Sequence, residues 1–223
     1  WHKQVDGKNY VGVWVENGRI QDVEGGWQFK SGLRAIIEKY TPGIRLTPMS
    51  KVILHDIDDS DIDGIQAMLD EYGIPSGNAV SALRSLEMAC PALPMCPLAT
   101  SEAERALPDI MRELEGMGHG DADVVVRMSG CPNGCPRPVS AEIGIVGKGT
   151  DRYCFHVGSN RGSRFNEKLY ESVSTDELAP VMDVLFTEWK AKREDNESFG
   201  DWSHKTGLDA LRDLVDTSGV LSE

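Results

Sequence analysis

No apolar run in the sequence approaches the roughly 20 residues of a membrane span, and no charged-then-apolar signal segment opens it. Neither a spanning helix nor an export signal is therefore expected. Basic residues are few: 23 Lys and Arg stand against 36 Asp and Glu, a net charge of −13. A balance that acidic argues against nucleic acid or an anionic membrane as the main partner. Cysteine is scarce, with five in 223 residues, whereas a secreted disulfide scaffold would be shorter and denser in it. There is no internal repeat, low-complexity stretch, P-loop, dinucleotide fingerprint or Ser–His–Asp set. The five histidines are scattered, and none pairs with another at ligand spacing. What remains is an ordinary folded composition, 40% hydrophobic and 26% charged, long enough for one large domain or two small ones. Trp1 rather than Met opens the chain, which reads as a processed product or a piece of something longer.

Residues 1–75 read as a small α+β unit. Tyr10–Glu16 alternates with Val11, Val13 and Val15 on one face, a strand pattern. Asn17-Gly18 is a strong hairpin-turn signal. Leu33, Ile36 and Ile37 mark a helix over 32–40, stopped by Pro42-Gly43. Two short strands at 44–46 and 52–55 lead to a second helix carrying Ile62, Ile65, Leu69 and Tyr72. Two strands, a helix, two strands and a helix make half of a ferredoxin-like α+β unit. Residues 76–82, small and polar, read as a linker.

Residues 76–223 hold the cysteines. Ser101-x-x-Glu104 is a capping-box pattern, and Pro108 marks a kink or a second helix start. Strands are expected at 124–128, 143–146 and 153–157. A helix capped by Ser174-x-x-Glu177 should follow, then a polar loop at 195–200 and a last helix at about 207–215. Cys154, between Tyr153 and Phe155, reads as a core thiol. Asp59-x-Asp61-x-Asp63-Gly64 mimics a calcium loop. It follows a strand rather than a helix, however, and has Asp70 where a bidentate Glu belongs, so an acidic helix start is the better reading.

Four cysteines form two tight pairs, Cys90-x5-Cys96 and Cys131-x3-Cys135, with 34 residues between them. Four thiolates can hold a [4Fe–4S] cube or one tetrahedral zinc, and buried free thiols are the bland alternative. The x5 spacing is long for a structural zinc knuckle. A proline follows each of the four, which favours extended loops around a ligand. From Arg127 to Lys168 there are seven basic residues and three acidic ones, against the acidic trend elsewhere. Such a local cationic patch suits an anionic ligand or a polycarboxylate cofactor, although it also fits ordinary solvated strand faces.

At these residues the chain resembles the C-terminal half of the sirohaem-containing sulfite and nitrite reductases. The resemblance rests on Met88-Ala-Cys90-Pro-Ala-Leu-Pro-Met-Cys96-Pro-Leu-Ala, Glu102-Ala-Glu104-Arg105, and Arg127-Met-Ser-Gly-Cys131-Pro-Asn-Gly-Cys135-Pro-Arg-Pro. Ala141–Lys148 and Glu197-Ser-Phe-Gly-Asp201 continue it. The implied organisation is a ferredoxin-like half-domain at 1–75 followed by an α/β domain at 76–223 that binds sirohaem and a [4Fe–4S] cluster. The implied ligands are Cys90, Cys96, Cys131 and Cys135, with Cys135 bridging cluster and sirohaem iron. Ser129, Gly130, Asn133 and Arg127 would line the cofactor, and Arg127, Arg137, Arg161 and Arg164 are candidates for its carboxylates.

The resemblance implies six-electron reduction of sulfite to sulfide in sulfur assimilation. The alternatives are nitrite reduction or a non-catalytic metal-binding module. Nitrite reductases of the family carry Cys-Thr-Gly before an aromatic in the first loop, where this chain has Cys90-Pro-Ala-Leu-Pro. The opening Trp1–Lys8 and Glu38-Lys39-Tyr40 look closer to ferredoxin-dependent enzymes than to NADPH-dependent haemoproteins. The implied partners are sulfite, an electron donor (ferredoxin or a flavoprotein reductase) and the N-terminal half of the same enzyme, where the catalytic cations are expected. The implied place is the cytoplasm, or a plastid in a plant or alga. Two residues depart from the family pattern: Pro136 stands where Ala or Gly is usual, and Ser159 stands within a usual Gly-Gly pair.

Overall fold

The computed structural model describes residues 1–77 and 79–221 and divides into two compact units, Trp1–Val80 and Ser81–Glu223. Asn78, inside the expected linker, lies outside the described residues. The first unit runs β1 (His2–Lys3), β2 (Asn9–Trp14), α1 (Phe29–Tyr40), β3 (Gly43–Leu46), β4 (Lys51–Ile57) and α2 (Ile62–Glu71). Its antiparallel sheet has the order β1-β2-β4-β3. Alternation puts Val11 and Val13 opposite Leu54 and Val52, on the face that meets Phe29, Leu33 and Ile36 of α1 and Ile65 and Leu69 of α2. Each of these side chains contributes about 1.5–3 kcal/mol by leaving water.

The hairpin expected at Asn17-Gly18 does not form. Both residues take positive φ, 49° and 75°, as a tight turn requires, but they sit in a short 3-10 turn with no returning strand. The neighbour β2 takes instead is β4, some forty residues on, whose Val52 and Leu54 supply the matching apolar face. Turn chemistry sets the backbone locally, whereas side-chain burial chooses the partner. The Asp59–Asp63 segment leads into α2. Asp59 is engaged by Lys3 and by Asn9 Nδ2 (2.8 Å), and the two lower its pKa.

The second unit runs α3 (Ala82–Ser85), β5 (Met88–Ala89), α4 (Ala106–Gly116), β6 (Val126–Ser129), β7 (Ile143–Gly149), β8 (Arg152–Val157), β9 (Glu167–Val173), α5 (Thr175–Lys192), α6 (Phe199–Thr206) and α7 (Leu208–Ser218). The sheet order is β5-β6-β7-β8-β9, parallel across the first three strands and antiparallel thereafter. Val126, Met128, Ile143, Ile145, Tyr153, Phe155 and Val157 form the sheet's share of the core. Leu107, Ile110, Met111 and Leu114 of α4 and Leu178, Val181, Leu185 and Trp189 of α5 complete it. Phe186, Trp189, Phe199 and Trp202 interlock with ring centroids 5.4–6.3 Å apart, which fixes α6 to α5.

Three expectations are corrected here. Ser101 does not cap α4, which begins at Ala106 with Pro108 in its first turn, where no N–H is needed. The Ser101 side chain is buried and donates to Gly149 O (2.6 Å) instead. Cys154 is not a core thiol. Tyr153 and Phe155 take the inward face of β8, and period-2 alternation turns Cys154 to the other, where it is half-buried against Glu171 O. The polar loop expected at 195–200 gives way at Phe199 to α6, because Phe199 and Trp202 recur at helical spacing and Ser198 accepts from Asp201 N. β9 was not expected from the sequence, since Glu167, Lys168 and Glu171 mask its few apolar positions. The Ser174/Glu177 capping box is present as expected. Among the described residues no helix is long and apolar enough to cross a membrane.

Candidate metal centre on two cysteine loops

The two cysteine pairs stand on loops that leave the same ends of neighbouring parallel strands. Met88 and Ala89 of β5 pair with Arg127 and Met128 of β6, so both strands discharge their chains at the sheet's carboxyl edge. Cys90 follows β5 directly, and its amide extends the ladder to Met128 O (3.1 Å). Cys131 lies two positions beyond the end of β6. The first loop turns back through Cys96 N to Ala92 O (2.7 Å), and the second through Arg137 N to Gly134 O (2.8 Å), with Gly134 at φ 63°.

The loops are joined to each other. The Gly130 amide donates to Cys90 Sγ at 3.2 Å. The Gly130 carbonyl accepts from Thr100 N (2.9 Å), Ser101 N (3.1 Å) and Thr100 Oγ1 (3.2 Å). A Cβ at position 130 would stand 2.6 Å from Ala92 Cβ and 2.6 Å from Ser101 O, so only glycine allows this approach. Ser129 Oγ donates to Cys131 O (2.7 Å), which holds the start of the second loop.

All five cysteines are free. Cys90 and Cys131 are buried, Cys96 is half-buried, and Cys135 is exposed, as is Asn133. Among the described residues, no three or more His, Cys, Asp or Glu side chains converge closely enough to hold a metal ion. The structure thus brings the loops together without closing four sulfurs into a ligand shell. The donor set is nonetheless of the right chemistry for an iron–sulfur cluster: free thiols, soft ligands, with a backbone N–H already aimed at one sulfur.

The cations divide. Arg127 on β6 is half-buried and donates to Ser140 Oγ (3.0 Å). Burial, with Arg137 nearby, lowers its pKa. Arg137 is exposed in the left-handed conformation, φ 58°. Arg161 and Arg164 are engaged inside the protein. Arg161 is bound to Asp123 and to buried Glu142, which also accepts from Val125 N (2.9 Å) and Gly200 N (3.1 Å). Arg164 donates to Gly158 O (2.6 Å), Gly200 O (3.1 Å) and Asp201 (2.7 Å). A buried carboxylate, and backbone carbonyls within reach, are stronger local claims on a guanidinium than a solvated ligand. Ser159 is buried and donates to Ser140 O (3.0 Å), tying its turn to the segment after Arg137. Sequence reasoning missed the Thr100–Ser101 contacts with Gly130, because the only signal there was a misleading capping pattern.

Residues 2–72 match the family model described as the nitrite/sulfite reductase ferredoxin-like half domain. Over 99% of its length the chain is 41% identical to a sulfite reductase [NADPH] hemoprotein beta-component of Methylobacterium radiotolerans, covering 37% of that protein. Over 97% it is 37% identical to a sulfite reductase [ferredoxin] of Synechococcus elongatus, covering 35% of it. A structure of the Mycobacterium tuberculosis NirA protein superposes with a TM-score of 0.79 at 26% identity, covering 95% of this chain and 40% of that one. The chain therefore spans little more than a third of the curated relatives it matches.

Proposed function

The chain is a homologue of the sulfite reductases and carries the ferredoxin-like half domain of the nitrite and sulfite reductases; from that premise we propose that it is the cofactor-holding part of an assimilatory sulfite reductase. Cys90, Cys96, Cys131 and Cys135 would hold a [4Fe–4S] cluster, and Cys135 would serve the sirohaem as well. Ser129, Gly130, Asn133 and Arg127 would line the tetrapyrrole. The observation that carries this reading is the junction of the two loops: the Gly130 amide, one residue before Cys131, donates to the sulfur of Cys90.

When bound, the two cofactors supply one-electron carriers in series for a six-electron reduction of sulfite to sulfide. The chain's own residues divide the remaining work. Cys90 and Cys131, buried, keep water from their side of the site, while Cys135, exposed, is the thiol that a second group can approach. The Gly130 N–H donates to the Cys90 sulfur and so fixes where that ligand stands. Arg127 and Arg137 offer charge for carboxylates, whereas Arg161 and Arg164 maintain the loop behind them. Cations that bind sulfite are assigned to the part of the enzyme outside this chain. Ferredoxin is the proposed donor and a flavoprotein reductase the competing one, since both kinds of enzyme are among the relatives. Thiols of this kind stay reduced in the cytoplasm, the proposed location.

The test has two parts. Anaerobic reconstitution of the 223-residue chain with iron, sulfide and sirohaem should give cluster EPR on reduction and intense visible bands; a colourless protein would end the proposal. The full-length enzyme should then turn over sulfite faster than nitrite, with reduced ferredoxin as the better donor. A preference for nitrite would assign it to the other branch.

A further inference from the structure

We propose that Ser101 is a positioning residue for the cluster, setting how far apart the two cysteine loops stand. Its claim begins with burial: a serine 1% exposed must spend its hydroxyl on an internal partner. The partners are Gly149 O (2.6 Å) and Arg152 O (3.3 Å), the carbonyls at the turn between β7 and β8. Both backbone groups of Ser101 reach the cysteine loops. Its N–H donates to Gly130 O (3.1 Å), one residue before Cys131, and its carbonyl accepts from Leu93 N (3.4 Å), inside the Cys90–Cys96 loop. A single residue thus holds the first loop, the second loop and a hairpin of the sheet.

The surroundings are built for that contact. A Cβ on Gly147 would stand 2.6 Å from Ser101 Oγ and 2.6 Å from Gly130 O. A Cβ on Gly130 would stand 2.6 Å from Ser101 O. Two glycines therefore clear the space on either side of Ser101. The sheet is the rigid body here: β7 and β8 are paired along their length, and Tyr153, beside the turn, is fully buried with its hydroxyl on Glu102 O (2.9 Å). Through Ser101 Oγ, the two loops take their spacing from that sheet. Without the hydroxyl, the 99–101 segment keeps its bonds to the loops but loses its reference, and the four thiols span a wider range of separations. A cube has fixed sulfur-to-sulfur distances, so this spread weakens binding and alters the field at the iron.

The inference rests on the cluster reading above, and one experiment separates the two. Parent, Ser101→Ala and Gly147→Ala chains, each of 223 residues, are reconstituted anaerobically with iron and sulfide. Folding is checked by circular dichroism and thermal melting before cluster content is read. In the folded Ser101→Ala protein, loss of the cluster to an iron chelator should be about tenfold faster, the usual scale for outer-shell substitutions. The reduced EPR spectrum should broaden and the midpoint potential should shift. Gly147→Ala, which leaves the hydroxyl in place but pushes on it, should change the same three readouts in the same direction. Cys154→Ser, on β8 but turned away from this contact, should match the parent. If Ser101→Ala keeps the parent's chelation rate, EPR line shape and potential, the positioning role is wrong and the cluster reading stands. If the parent takes up no cluster, both fall. Should Ser101→Ala not fold, Gly147→Ala decides alone on the same readouts.

Discussion

Arg161 and Glu142 meet inside the second unit, with the guanidinium Nε donating to Glu142 Oε2 at 2.7 Å and the carboxylate wholly out of solvent. Glu142 also caps the amides of Val125 and Gly200, so one charge gathers the approach to β6, the start of β7 and the first turn of α6. Removing its counter-charge strands a buried anion. Arg161→Met should cost about 3 kcal/mol, the low end for breaking a buried pair, because the arginine is itself partly exposed and water can reach the gap. The melting temperature should fall by about 10 °C. Lys148→Met, which breaks an exposed pair with Glu171, should change stability far less. Denaturant titration of both variants checks the contrast, and equal effects would mean that Arg161 is not the essential partner.

Glu171 sits between Lys168 Nζ (2.6 Å) and Lys148 Nζ (3.1 Å) on the exposed face of the sheet. The hydrogen bond from Lys168, then that from Lys148, bring its pKa down to about 2. A carboxylate with a lowered folded-state pKa contributes stability above its unfolded value. That contribution disappears as the pH falls from about 4.5 toward 2. Carbon-detected NMR titration of the Glu171 carboxyl should show this midpoint, and Lys168→Met should move it up toward the ordinary range. Molar salt should weaken the effect, since the group is fully solvated.

Serine at Cys90, Cys96, Cys131 or Cys135 should each abolish the cluster signal after reconstitution, because a hydroxyl is a poor replacement for a soft thiolate on iron. Cys154→Ser should leave iron content unchanged. Loss of iron from Cys154→Ser with retention in Cys90→Ser would reverse the ligand assignment.

Substitution at Cys135 should disturb sirohaem absorption more than substitution at Cys90, in protein that retains both cofactors. The exposed sulfur is the one a second metal can share. Equal spectral shifts would count against the bridge.

What could be read in the sequence follows from the range of the signals. Val11 and Val13, or Leu178, Val181 and Leu185, announce their elements through period alone, and the cysteine pairs announce themselves through spacing and flanks. The Asn17-Gly18 turn and the Ser101-x-x-Glu104 pattern are local signals that lost to distant partners: β4 claims β2, and Gly149 O claims Ser101 Oγ. Arg161 and Arg164 read as available because nothing nearby in sequence reveals that Glu142 is buried or that the Gly158 and Gly200 carbonyls stand within reach of Arg164. Cys154 reads as a core thiol for a simpler reason. Its neighbours Tyr153 and Phe155 are both apolar, and only the alternation of β8 shows which of the three faces out.

The parallel pairing of β5 with β6 also governs when the two cysteine loops can meet. Between Cys96 and Cys131 the chain must leave the sheet, form α4 and return before the second strand can lie beside the first. Parallel neighbours cannot be joined by a tight turn. A nascent chain therefore presents the first pair of thiols well before the second emerges, and two thiols on an unpaired loop make no cube. On the proposed cluster reading, loading follows the docking of α4 and the pairing of β6, so the chain takes its cofactor as a folded surface rather than as an emerging peptide.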